Sequence, residues 1–308
     1  MIWAGALSRK GKTMKTLWKV IRLSPVRIVL AIVAVGGAVA VAQLLVKALE
    51  GVLSLGNSVP GLYYAAYLIV SVLVAYFVYR AYVRIVEERP VTELSMAEAP
   101  KELGFGMMIG LGLVSLTVGI LWLLGDYRIT GVGVWTGTFA LLANDGAGAF
   151  VEEILLRGVV FRITEERLGT WIAIAISALL FALLHLTSAN ATVASTVVVG
   201  LEAGVLLSAT YVLTGRLWLA IGIHFAWDFA QDAVFGISGG AAGLVRAELS
   251  GPVLLSGGNS GIEGSVLALF LCLMVSAYLL VRAARKGRIV RPFWQRAETL
   301  SSPVRDVA

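Results

Sequence analysis

The chain has 308 residues, of which 58% are hydrophobic and 14% charged, whereas soluble domains are about 45–50% apolar and 25% charged. With a mean hydropathy of +0.88, this excludes a water-soluble globule, and at about 20 residues per crossing it leaves room for about seven to nine membrane helices and no large soluble domain. The net charge of +6 sits at the ends, with seven cations in residues 1–27 and seven more in residues 282–308, so a folded basic face for nucleic acid is not expected.

A window of about 19 residues finds apolar stretches near 28–46, 61–79, 104–124, 132–161, 171–187, 192–213, 217–236 and 264–281. The expected fold is therefore all-α, a polytopic membrane protein of about eight transmembrane helices. The domain organisation is a basic segment 1–27, a membrane-embedded domain 28–281 and a basic tail 282–308. An even count puts both termini on one side, and their positive charge assigns that side to the cytoplasm. Arg80, Arg84, Arg89, Lys101, Arg162, Arg167 and Arg216 fall in connections that the same count makes cytoplasmic. The first apolar run continues past Ala42 through Leu44, Leu45 and Val46, longer than a signal-peptide core, so it is expected to remain as a span.

The fourth stretch is too long for one straight crossing, and Asn144, Asp145 and Gly146 are expected to break it, with a helix from about Ala147 to Thr164. Segment 85–103 reads as a loop or interfacial helix, and 237–263 as a Gly/Ser-rich loop. No internal repeat supports an inverted-repeat transporter. Cys272 is the sole cysteine, so no intramolecular disulfide is possible.

Ionisable groups inside spans are costly, at least about 2.5–3.5 kcal/mol each on insertion scales, and by default mark function. Here they are Glu152, Glu153, Arg157, His185, Glu202, His224, Asp228 and Asp232. Glu153 and Arg157 are one helical turn apart and neutralise each other; Glu152 points about 100° away without that partner. Phe181 and His185 share a face of the fifth span, and His224 and Asp228 share a face of the seventh. At about 1.5 Å per residue, Glu152, His185, His224 and Asp228 lie in one slab, compatible with a single buried cavity.

A carboxylate and an imidazole can deprotonate a water held between them, while a second imidazole and a polar neighbour stabilise the oxyanion formed at a carbonyl. The same four groups are also a ligand set for zinc or another divalent metal. Sequence leaves both mechanisms open.

Glu152-Glu153-x-x-x-Arg157, Phe181-x-x-x-His185 and His224-x-x-x-Asp228, in order on successive helices, resemble the three motifs of the type II CAAX prenyl protease and bacteriocin-processing (CPBP, abortive-infection) family of intramembrane endopeptidases. The similarity covers about residues 140–235, within a protease-like core of about 132–236. It implies that Glu152 activates water with His185, that Glu153, Arg157 and Phe181 support the site, and that His224 and residue 228 complete it. The implied partners are a peptide or lipidated-protein substrate and the surrounding lipids. The family's third motif usually ends in asparagine, which can donate to an oxyanion as an ionised Asp228 cannot. Asp228 must then be protonated, bind a metal, or orient His224.

Other intramembrane proteases fit poorly. There is no H-E-x-x-H, no histidine follows the rhomboid-like Gly258-Asn259-Ser260-Gly261, and Gly125-Asp126 lacks the preceding glycine of the aspartyl class. Gly200 and Gly204 suit close helix packing, and Glu202 between them can face the cavity or pair with Arg157 or Arg216. The alternative to an enzyme is a non-catalytic immunity or scaffold protein of the same fold.

Overall fold

The computed structural model describes residues 18–54, 58–188, 191–237 and 240–296; parts of the basic segment 1–27 and of the tail 282–308 lie outside the described residues. Eight long helical stretches follow one another. They are α1 (Ser24–Leu53), α2 (Pro60–Tyr82, prolonged by Val83–Glu87), α3 (Ala99–Leu124), α4 (Thr138–Glu153, prolonged through Ile154–Phe161 and Arg162–Leu168), α5 (Thr170–His185), α6 (Val193–Thr214), α7 (Trp218–Phe229, prolonged through Ala230–Val234) and α8 (Val266–Arg285). Each corresponds to one of the expected stretches. Five candidate spans, within α1, α2, α3, α6 and the segment Gly258–Arg285, are long and apolar enough to cross a membrane; α5 is apolar but shorter. The protein is thus an integral membrane protein of helical class. Outward-facing Val33, Leu44, Met108 and Leu123 are exposed, as lipid-facing side chains should be.

One departure is a two-stranded antiparallel sheet of β1 (Tyr127–Val132) and β2 (Val245–Leu249), pairing Tyr127 with Leu249 and Val132 with Val245 around a bulge between Ile129 and Gly131. It lies in the connections at one end of the bundle, where the backbone needs partners that no helix supplies.

The expected break at Asn144, Asp145 and Gly146 does not occur. The helix runs unbroken from Thr138 to Leu168, and the weak helix propensity of these residues, below about 1 kcal/mol each, is overridden by packing. A Cβ on Gly146 would stand 3.0 Å from Leu68 on α2. The same helix widens into π-helical turns over Ile154–Phe161. The freed carbonyl of Gly158 accepts from Tyr79 Oη at 2.9 Å and from Arg162 Nε at 2.8 Å.

The basic connections gather at one end. There Arg27 bonds Glu87 and Glu166, Arg162 bonds Glu87 and Glu166, and Arg89 bonds Glu87 and Glu93. Residues 85–103 form the end of α2, an irregular loop and the start of α3, with Glu93 buried beside Arg89 and Tyr79. Arg296 donates to the Glu166 carbonyl, which ties the end of the chain to the same place. The sheet and the 250–264 segment occupy the opposite end.

Helix α7, which carries His224, is seated by α3. Gly106 and Gly110 on α3 and Gly222 on α7 meet so closely that an added Cβ would stand under 3.0 Å from a facing backbone carbonyl, Leu219, Ile223 or Leu103 respectively. Gly200 and Gly204 on α6 likewise press against Ala178 of α5. Both contacts trade side chains for close backbone approach, the economical packing where lipid supplies no hydrophobic drive between helices.

Candidate active site

The Glu153–Arg157 pair on α4 is fully buried, with Nη1 2.8 Å from Glu153 Oε1. Arg157 also donates to the carbonyls of Ala203 and Gly204 on α6, at 3.1 and 3.3 Å, and stands over the Phe181 ring of α5 at 5.0 Å. Where the Gly200–Gly204 turns of α6 widen into π-helix, these carbonyls can turn toward the guanidinium. One arginine thereby joins α4, α5 and α6.

Glu153 does a second job. Its Oε1 also accepts from His224 Nδ1 at 2.9 Å, which turns His224 Nε2 toward Asp228 Oδ2 at 3.4 Å and Glu152 Oε2 at 3.9 Å. Glu152 has no such partner, and its buried Oε2 makes no hydrogen bond. The sequence expectation that only Glu153 pairs with Arg157 matches this arrangement. Orientation of His224 through its Nδ1–H falls to Glu153, while Asp228 stands at the other nitrogen.

On α5, His185 stacks on Phe181 with ring centroids 4.5 Å apart. Its Nδ1 lies 2.9 Å from the Phe181 carbonyl. A carbonyl only accepts, so Nδ1 carries the hydrogen and Nε2 of the neutral ring keeps its lone pair. Phe181 also lies against His224, at 5.7 Å, and so spaces the two imidazoles.

His185, His224 and Asp228 line one cavity together with Phe181, Glu202 and Glu263. Its free volume of about 30 Å³ suits one or two waters rather than a peptide. Glu152 approaches it through His224. Glu202 faces this cavity instead of pairing: Arg157 takes backbone carbonyls, and Arg216 takes Glu102.

Sequence reasoning missed Glu263, the one charged residue between Ser250 and Val281. That isolation in an uncharged stretch was the available signal. It also passed over Asp145, whose Oδ2 is buried without a hydrogen bond, because the residue was read as a helix breaker.

Zinc does not fit the donors as placed. Among the described residues, no three His, Cys, Asp or Glu side chains form a group able to hold a metal ion. A zinc site needs at least three protein ligands.

No curated protein and no solved structure matches the chain significantly. A family model does, described as type II CAAX prenyl endopeptidase Rce1-like, over residues 133–230. This stretch holds all three motifs and the four helices α4 to α7 that bring them together. Residues 133–230 of this chain are thus similar to the Rce1-like type II CAAX prenyl endopeptidases.

Proposed function

We propose that the protein is an intramembrane endopeptidase in which Glu152 on α4 and His185 activate a water held beside His224, at the cavity that α5, α6 and α7 line. Glu152 Oε2, buried without a hydrogen bond, and His185 Nε2 with its lone pair are the two proton acceptors. The water loses a proton to them as its oxygen attacks the peptide carbonyl. His224 Nε2, carrying a proton while Nδ1 is held by Glu153, donates to the oxyanion. Collapse breaks the C–N bond, and the proton taken from water passes to the leaving amine. No step passes through a metal. The single observation that carries this reading is that a family model of endopeptidases matches the segment in which two histidines line a water-sized cavity and Glu152 Oε2, buried without a hydrogen bond, stands 3.9 Å from one of them.

The basic end of the bundle, with Arg27, Arg89, Arg162 and the tail, is assigned to the cytoplasm by charge. Substrate is a peptide segment at the membrane, lipidated or not. Because the cavity continues past Glu263 into an open space beside the 250–264 segment at the opposite end, a leader or exported peptide fits this placement better than a cytoplasmic prenylated tail.

The test is cleavage of a mixed peptide library, farnesylated peptides included, by purified full-length protein beside Glu152→Gln and His185→Ala, each with and without chelator. Loss of a positioned acid or base costs about 10²–10⁴-fold, and both variants should show it while the chelator changes nothing. Cleavage that survives Glu152→Gln would overturn Glu152 as the base, absence of cleavage by folded wild type would overturn the reading in favour of a non-catalytic scaffold, and chelator sensitivity would restore a metal.

A further inference from the structure

Beyond the inner cavity, and sharing Glu263 with it, opens a second space of about 650 Å³ lined by Gln231, Asp232, Asn259, Ser260 and Glu263 among others. This volume lies within the about 300–1,000 Å³ of ligand clefts. A side cavity between them, lined by His185, Ser188 and again Glu263, completes the connection. Glu263 thus stands at the junction of the outer vestibule and the two histidines.

The vestibule is built to accept hydrogen bonds from a cation. Asp232 and Glu263 line it, and among the described residues no lysine, arginine or histidine does. Gln231 is 3% exposed; its amide donates to Glu263 Oε1 at 3.2 Å, which leaves its own Oε1 buried without a partner. Deeper, Glu202 is 2% exposed and its Oε2 is likewise unpartnered. These buried groups are acceptors awaiting a donor, and an unsatisfied one costs about 1–3 kcal/mol. A bare metal ion is a poor candidate, because no three ligating side chains converge among the described residues.

We propose that this vestibule binds a lysine- or arginine-bearing segment of the peptide substrate, with Glu263 and Asp232 receiving the cationic side chain beside the catalytic cavity. The word substrate rests on the endopeptidase reading; the cation site does not. The rhomboid-like Gly258-Asn259-Ser260-Gly261 then has a different use: its small residues border the vestibule and leave room for a peptide.

The test reads the site without proteolysis. In full-length protein carrying Cys272→Ser, exposed Ser188 or Asn259 is replaced by cysteine. Its reaction rates with a trimethylammonium and a sulfonate methanethiosulfonate are compared, each normalised to a free thiol. The cationic reagent should react at least about fivefold faster, as expected beside a focused acidic field. Glu263→Gln should at least halve that preference, and acetyl-dilysine amide should protect where acetyl-diglutamate amide does not. Equal rates at both reporters, a preference indifferent to Glu263→Gln and Asp232→Asn, or protection by calcium or magnesium but not by dilysine would each overturn the proposal. Charge-selective labelling together with a library that shows no Glu152-dependent cleavage would instead overturn the endopeptidase and leave the cation site standing.

Discussion

Glu153 on α4 accepts the ring N–H of His224 on α7 at 2.9 Å through the same oxygen that meets Arg157 at 2.8 Å. The two glutamates of the first motif, adjacent in sequence, are therefore unlike in use. One is consumed by the scaffold, and the other is left with a free oxygen beside His224.

Removal of either member of the buried ion pair should be severe. Glu153→Ala leaves Arg157, with no exposed surface, as an uncompensated charge, and breaking such a pair costs about 3–5 kcal/mol. Glu153→Gln keeps an acceptor for His224 Nδ1 but loses the charge. Thermal unfolding in detergent should rank wild type, Gln and Ala in that order. Equal melting of all three would show that the pair contributes nothing to holding α4, α6 and α7 together.

The α3–α7 seam should tolerate no side chain. Gly222→Val forces the backbones apart where a Cβ already meets the Leu103 carbonyl under 3.0 Å, and overpacking of this kind costs about 1–3 kcal/mol. Gly112, on the same helix α3 but with nothing near it, is the control: Gly112→Ala should melt as the wild type does or slightly higher, since alanine favours helix. Because α7 positions His224, Gly222→Val should also reduce cleavage beyond its loss of folded protein.

Acid should loosen the basic end. Burial alone would raise the Glu93 carboxyl, but hydrogen bonds from Arg89 and Tyr79 outweigh it and hold the group below its ordinary 4.5. A group depressed in the folded state stabilises above its unfolded value and loses that contribution as pH falls through the folded one. Melting temperature should thus drop as pH is lowered from about 5 to 3, and Glu93→Gln, already weaker at neutral pH, should show a shallower drop. A parallel decline of the two proteins would assign the acid sensitivity elsewhere.

The helical framework was legible because lipid imposes a long apolar period on each span, and α1 to α8 follow the eight stretches read from hydropathy. The candidate site could be proposed for a related reason: polar residues in such stretches are few, so Glu152, His185, His224 and Asp228 stand out. What escaped was set by tertiary contact. Asn144, Asp145 and Gly146 look like a break, yet packing of Gly146 against Leu68 keeps α4 continuous. The sheet was hidden because Tyr127–Val132 and Val245–Leu249 are short and distant in sequence. Glu263 carries no motif, and only the folding of 250–264 over the cavity brings it to the histidines.

Asp228 offers the sharpest test of the chemistry, since the resembled motif usually has asparagine there. Its Oδ2 lies 3.4 Å from His224 Nε2, near enough to share a bound water or oxyanion with the imidazole. If Asp228 donates a hydrogen bond, it does so only when protonated, so cleavage falls as pH rises and the proton is lost. Asp228→Asn supplies a permanent N–H donor and should remove that alkaline fall while leaving activity at low pH close to wild type. Asp228→Ala, with no donor, should lose activity at every pH by about 10²–10³-fold, the cost of one oxyanion donor. Should Asp228→Asn instead lose activity across the whole range, the aspartate acts as an anion that holds the His224 imidazolium, and the oxyanion is left to His224 alone.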